Sequence, residues 1–131
     1  MNNKIIKIRR NLKNYRILQK EIELRTKYIA DFKATLISPL PKTEETLHKI
    51  YKKLVFDMET KLRLLQKKFD LLNDIIDKLD GEERSVIYFR YILGINWVDI
   101  PEYMMYEQRS CQNFESNAIK KIAKMKIDWG D

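Results

Sequence analysis

The sequence predicts an all-α protein in which a long, coiled-coil-like antiparallel helical hairpin is followed by a small three-helix helix-turn-helix domain. Charged residues make up 34% of the 131 residues, and there are only three Gly and three Pro, a composition typical of long helices. Apolar residues recur every three or four positions over most of the chain. This period changes at Asp80-Gly81, two residues that cap or break helices. We therefore predict one domain at residues 1–80 and a second at residues 81–131.

The first segment, residues 4–37, has the apolar spacing of a helix with one slip in phase just after Tyr15. Pro39 and Pro41 are predicted to end this helix, because proline and the residue before it disfavour helical backbone. Thr43 is a suitable N-cap for the next helix.

The second segment, residues 44–79, has the cleanest pattern in the chain. Ten successive apolar positions, separated by three or four residues, form one seam: Leu47, Tyr51, Leu54, Met58, Leu62, Leu65, Phe69, Leu72, Ile76 and Leu79. This seam can be covered by the first segment in a hairpin, or by a second chain. A second apolar stripe outside the seam predicts self-association, and it consists of Ile50, Val55, Leu64, Leu71 and Ile75.

Residues 84–122 contain three short apolar groups. The first comprises Val86, Ile87, Phe89, Tyr91 and Ile92, the second Trp97, Ile100 and Met104, and the third Cys111, Phe114, Ala118, Ile119 and Ile122. Gly94 supplies a stop after the first group. Three short helices joined by tight turns predict a helix-turn-helix, in which the last helix enters the major groove of DNA.

The outward face of this last helix is the predicted DNA-binding surface. With the third apolar group turned inward, the outward positions are Arg109, Gln112, Asn113, Ser116 and Lys120, with Gln108 at the N-terminal tip. Arginine suits guanine, and glutamine or asparagine suits adenine. Lys120 and Lys124, towards the other end of the helix, suit phosphates. Arg90 is a further candidate phosphate contact, with a solvated or acid-paired arginine as the alternative.

The same segment carries a resemblance to a known family. The pattern R-x-V-I-x-F-R-Y-x-x-G-x-x-W-x-D-I, then a turn and a helix ending N-A-I-x-K-I, resembles the promoter-binding C-terminal domain of bacterial sigma factors. In layout the chain is similar to sigma-like phage regulators of late genes, of the RinA and ArpU type. The resemblance implies a phage-encoded transcriptional regulator whose base-reading positions are Gln108, Arg109, Gln112 and Asn113. It further implies that the hairpin serves dimerisation or contact with host RNA polymerase.

Three residues depart from the family pattern. Pro101 replaces a small helix former and predicts that the second helix of the domain starts late, with Asp99 as its N-cap. Met105 stands where a turn glycine is usual, although methionine does not readily adopt left-handed backbone. Glu107 stands where Ser or Thr usually caps the recognition helix, and glutamate is a poorer cap.

The net charge of +7 is unevenly distributed. Residues 1–37 carry ten Lys/Arg against three Asp/Glu, whereas residues 81–131 carry seven against eight. The last helix is nevertheless basic, and only Glu115 opposes its cations, which are Arg109, Lys120, Lys121, Lys124 and Lys126. Because phosphate affinity depends on the local face, this helix can bind DNA within a slightly acidic domain.

Several classes of function are not supported by the sequence. A single cysteine and a single histidine exclude an internal disulfide and the common zinc sites. We find no membrane-length apolar run, no signal-peptide core and no catalytic constellation, and we expect a cytoplasmic protein that is not an enzyme and needs no cofactor.

The predicted function is a homo-oligomeric regulator that binds double-stranded DNA. One alternative is a phage DNA-packaging protein of the small terminase kind, which also combines a helix-turn-helix with oligomerising helices. The other is a helical structural or adaptor protein that binds a protein partner, which the acidic balance of residues 81–131 favours.

Overall fold

The computed structural model describes residues 3–35 and 45–129, which contain α-helices and no β-strand. The elements are α1 (Asn3–Lys13), α2 (Tyr15–Thr35), α3 (Glu45–Asp77), α4 (Gly81–Ile87), a π-helical segment (Tyr88–Ile92), α5 (Ile100–Met104) and α6 (Gln108–Lys124). The predicted all-α class is confirmed. The predicted helix stop at Pro39 and Pro41 and the N-cap at Thr43 lie outside the described residues. Among the helices that are described, none is long and apolar enough to span a membrane.

The chain forms two compact units. One comprises Met1–Ile17 and Lys68–Asp131, and the other comprises Leu18–Lys67. The slip in phase near Tyr15 corresponds to a break between α1 and α2 at Asn14, whose backbone N–H still donates to the carbonyl of Arg10 at 3.1 Å. The sequence division at Asp80-Gly81 placed α1 with the hairpin, but α1 lies in the same compact unit as α4, α5 and α6.

The unit Leu18–Lys67 is an antiparallel pair made from α2 and α3. The rings of Phe32 and Tyr51 meet edge to face with centroids 5.8 Å apart. Lys33 Nζ lies 2.6 Å from Glu59 Oε1. One turn earlier in α2, Ile29 lines the same groove as Met58 of α3. The second half of α2 thus lies against the first half of α3, as in the predicted hairpin.

The prediction of a continuous buried seam on α3 is wrong for its first half. Leu54 is 45% exposed and Leu47 is also exposed, whereas only the last three seam residues, Leu72, Ile76 and Leu79, are buried. Among the described residues of the unit Leu18–Lys67, α2 packs against α3 but leaves Leu47 and Leu54 of the seam exposed. The end of α3 is buried because it belongs to the larger unit, which contains several more helices.

The predicted inward face of the last helix is largely confirmed. The core of the larger unit consists of Ile8, Leu12, Tyr15, Leu72, Ile75, Ile76, Leu79, Val86, Ile87, Tyr91, Ile100, Cys111, Ala118, Ile119 and Ile122. Phe114, also predicted to face inward, is half-buried. Burial raises the pKa of the Cys111 thiol, in keeping with its place in the core.

The turns of the C-terminal helices follow the sequence signals at Gly94 and Pro101, whereas Met105 adopts a backbone that methionine disfavours and Asp99 makes no side-chain capping hydrogen bond. Gly94 has φ +70°, as expected of a helix stop, and α5 begins directly after Asp99 with Pro101 in its first turn. Met105 ends α5 with φ 60° and ψ 36°, so it occupies the left-handed position that glycine usually takes. Glu107 precedes α6 without a side-chain capping hydrogen bond, as expected of a poor cap.

Met105→Gly is expected to stabilise the protein. Left-handed backbone costs a residue with a side chain roughly 1–2 kcal/mol, and glycine removes this cost. The extra conformational freedom of glycine in the unfolded chain offsets part of the stabilisation. The Met105 side chain is 90% exposed, so few contacts are lost. We expect the free energy of unfolding, measured in urea, to rise by about 0.5–1 kcal/mol. Val98→Gly is the control, because Val98 is also exposed but has no positive φ, and it should lower the stability.

Candidate nucleic-acid interface

Helix α6 is held on its inner side by three elements, α1, α4 and α5. Its buried residues are Cys111, Glu115, Ala118, Ile119 and Ile122, which recur at helical spacing along one face. The opposite face is therefore free of packing within the larger unit. A helix supported in this way has the form that helix-turn-helix proteins use to place side chains in a major groove.

The predicted site residues on α6 share this outer face. Six of them are exposed: Gln108, Arg109, Gln112, Asn113, Lys120 and Lys124. Ser116 is half-buried at the margin of the face. The structure thus brings seven of the eight predicted residues together on one helix, while their role in reading DNA stays a prediction.

Arg90, the eighth predicted residue, lies on the π-helical segment rather than on α6. Its Nη1 donates to the carbonyl of Ile95 at 3.2 Å, and its guanidinium carbon lies 5.4 Å from the centre of the Trp97 ring. These partners of Arg90 are thus a backbone carbonyl and an aromatic ring, and neither is an acid. The segment itself is closed by the hydrogen bond from Leu93 N–H to the carbonyl of Tyr88 at 3.0 Å, and single-turn π segments are frequent at functional sites.

Glu115, the one acid among the cations of α6, lies on the inner face of the helix. It is only 5% exposed. Arg9 Nη2 lies 2.7 Å from Glu115 Oε1, Arg9 Nε donates to Oε2 at 3.2 Å, and the Tyr91 hydroxyl donates to Oε2 at 2.5 Å. Residue 115 falls one turn after Cys111 on the inner face, and a carboxylate is tolerated there because both of its oxygens are paired.

The polar cluster of Arg9, Tyr91 and Glu115 also shifts the pKa values of Arg9 and Tyr91. Burial raises the pKa of the Tyr91 hydroxyl, and the hydrogen bond and charge of Glu115 raise it further. The hydrogen bond to Glu115 raises the pKa of Arg9 against the opposing effect of burial. The cluster ties α1 to α6 with a charge-assisted hydrogen-bond pair.

The packing of α1 changes the charge of the predicted DNA-binding domain. Residues 81–131 alone carry seven Lys/Arg against eight Asp/Glu, but residues 1–17 carry six Lys/Arg and no acid. The compact unit Met1–Ile17 with Lys68–Asp131 carries fifteen Lys/Arg against twelve Asp/Glu. The acidic balance that favoured a protein partner is therefore reversed in the folded unit.

Two further cations of this unit are already paired with acids. Lys121 Nζ lies 2.6 Å from Glu83 Oε2, and the hydrogen bond to Glu83 raises the pKa of Lys121. Arg84 Nη2 lies 3.0 Å from Asp77 Oδ1. Such exposed pairs are weak, but they make Lys121 and Arg84 poorer candidates for phosphate contact than Lys120 and Lys124.

A cleft of about 270 Å³ lies beside the outer face of α6. Its lining combines basic, aromatic and neutral polar side chains from three elements: Arg9, Lys13, Arg90, Tyr91, Trp97, Gln112, Glu115 and Ser116. Sequence reasoning missed the part played by Arg9 and Lys13. The available signal was the run of seven Lys/Arg without an acid in residues 1–20, but nothing in the sequence placed that run next to α6.

Comparison of the chain with protein-family models, with curated proteins and with solved structures finds no match.

Proposed function

We propose that this protein is a transcriptional regulator that binds double-stranded DNA at a promoter through α6. The observation that carries the proposal is the outer face of α6, where six exposed polar or basic side chains lie opposite a face packed by three other helices. The net positive charge of the compact unit supports it. The resemblance of residues 84–122 to sigma-like phage regulators of late genes suggests the promoter as the target, a phage as the source and the host cytoplasm as the location.

In this proposal the two ends of α6 have different tasks. Arg109 and Gln112, near the N-terminal end, reach base edges, since arginine can pair bidentately with guanine and glutamine with adenine. Lys120 and Lys124, towards the C-terminal end, meet phosphates and set the position of the helix on the duplex.

The experiment that tests the proposal is recovery of sheared phage and host DNA by the tagged full-length protein. We expect one or a few enriched fragments next to a late promoter. A triple variant of Arg109, Gln112 and Asn113 to alanine is the control, because these exposed positions can change without disturbing the core. Recovery of no fragment above the background of random DNA would refute the proposal.

We further propose that the protein self-associates through the unit Leu18–Lys67. Large apolar side chains remain exposed there: Leu24, Tyr28, Leu47, Ile50, Leu54, Phe56 and Leu64. An apolar groove of about 390 Å³ between Leu24, Tyr28, Ile29 and Met58 belongs to the same unit. Exposed apolar side chains beside such a groove favour a protein interface, and operators with two half-sites call for a dimer.

Leu64→Glu is expected to weaken self-association, because it places a charge among the exposed apolar side chains of this unit, where Leu64 is 59% exposed. Gln66→Glu makes the same change of charge at an exposed position two residues further on and should leave the mass unchanged. Light scattering of the full-length protein across micromolar concentrations measures the effect. A monomer mass for the unmodified protein would contradict self-association, and a ring of eight or more subunits would favour a packaging protein instead.

A further inference from the structure

The cleft beside α6 is bounded by α1, by the π-helical segment and by α6 itself. Lys13 enters from α1, Arg90 from the π-helical segment, and Gln112 and Ser116 from α6. Because Gln112 is also one of the predicted base-reading positions, the cleft is continuous with the surface that is proposed to face DNA. All of these residues belong to one compact unit.

The charges in the cleft leave it positive. Arg9 and Glu115 neutralise each other through two hydrogen bonds, and the Tyr91 hydroxyl donates a further hydrogen bond to the same carboxylate. Lys13 and Arg90 therefore supply the net charge of the cleft. An anionic ligand is favoured over a cation or an apolar ligand.

Arg90 is held in place before any ligand arrives. The carbonyl of Ile95 accepts a hydrogen bond from Arg90 Nη1, and the guanidinium carbon of Arg90 lies over the Trp97 ring. A guanidinium fixed in this way loses little side-chain entropy when it binds an oxyanion. The Gln112 amide and the Ser116 hydroxyl add neutral hydrogen-bond donors at the α6 wall of the cleft.

We propose that this cleft receives one phosphate of the DNA backbone, with Lys13 and Arg90 as its cationic ligands. The proposal rests on the proposed function, because a helix lying in a major groove has a sugar-phosphate backbone along its flank. Helix α1 then forms part of the DNA-binding surface instead of only supporting α6. Contacts of this kind fix the register of the protein on the duplex without reading sequence.

The test compares Lys13→Ala with Arg10→Ala in the full-length protein. Both residues are exposed cations on α1, but only Lys13 lines the cleft. Dissociation constants on random duplex DNA are measured across a salt series. The logarithm of the dissociation constant rises with the logarithm of the salt concentration. Lys13→Ala should reduce the slope of this rise by about one, as expected for the loss of one phosphate contact, while Arg10→Ala should leave the slope unchanged.

A second measurement locates the contact on the DNA. Duplexes of the recovered site are made with a single neutral methylphosphonate at each backbone position in turn. The unmodified protein should bind the duplex modified at one particular position more weakly than the duplexes modified at the flanking positions. The affinity of Lys13→Ala should not change when that same position is modified.

The outcomes separate the two proposals. Equal salt slopes for the unmodified protein, Lys13→Ala and Arg10→Ala, with DNA binding intact, would overturn the phosphate cleft and leave the proposed function standing. Failure of the unmodified protein to bind any duplex would refute the proposed function itself, and the cleft proposal with it.

Discussion

Arg9→Met is expected to lower the free energy of unfolding by about 2–4 kcal/mol, whereas Glu115→Gln, at the other end of the same ion pair, should cost only about 1 kcal/mol. The difference follows from burial. Without Arg9, the Glu115 carboxylate, which is 5% exposed, keeps only the Tyr91 hydroxyl as a partner. A buried charge that loses its partner is among the costliest defects in a protein interior.

The second substitution leaves no such defect. The Arg9 side chain is 39% exposed, so its guanidinium can turn to water when the carboxylate is removed. The amide oxygen introduced at position 115 can still accept the Tyr91 hydrogen bond, which preserves one of the three contacts of the cluster. Burying the neutral amide costs far less than burying an unpaired carboxylate.

Urea unfolding of the two single variants and the double variant measures this asymmetry. The double variant should be more stable than Arg9→Met alone, because it removes the stranded charge. Losses that are equal for the two single variants and additive in the double variant would show that Arg9 and Glu115 are not coupled, and that α1 is not tied to α6 through them.

Arg109→Ala is expected to lose about 1–3 kcal/mol of binding free energy on the specific site, or roughly 5- to 150-fold in affinity, and little on random DNA. Lys120→Ala should weaken binding to both DNAs and lower the salt slope by about one. The two residues are matched in charge and exposure and lie on the same helix. They differ in position, because Arg109 is near the N-terminal end of α6, where side chains reach base edges.

Fluorescence anisotropy with the recovered site and with a scrambled duplex, each across a salt series, decides between the roles. If Arg109→Ala weakens binding to both duplexes equally, Arg109 does not read bases, even if the protein binds DNA. If Lys120→Ala loses affinity on the specific site alone, the assignment of the two ends of α6 is reversed.

The helix stop at Gly94, the helix start after Asp99 and the inner face of α6 could be predicted from the sequence because their signals are local. Gly94 stops a helix through its own backbone freedom, and Asp99 and Pro101 mark a helix start within three residues. The inward spacing of Cys111, Ala118 and Ile122 identifies one face of α6, and the outer face follows by exclusion.

The placement of α1 could not be predicted in the same way. Arg9 and Glu115 are 106 residues apart, and neither an arginine in a basic run nor a glutamate on a basic helix signals burial. Ile8 and Leu12 fit the apolar spacing of a hairpin helix as well as they fit contact with α6. The α3 seam failed for a related reason, because a repeat indicates that a face can be buried but not which partner covers it.

Chemical-shift mapping shows residue by residue whether α6 meets DNA. The ¹⁵N-labelled full-length protein is titrated with the recovered duplex. We expect the largest amide changes at the start of α6, at Gln108, Arg109, Gln112 and Asn113, with further changes at Lys13 and Lys120. Changes confined to residues 18–67, or no changes at DNA concentrations that saturate binding, would contradict this expectation.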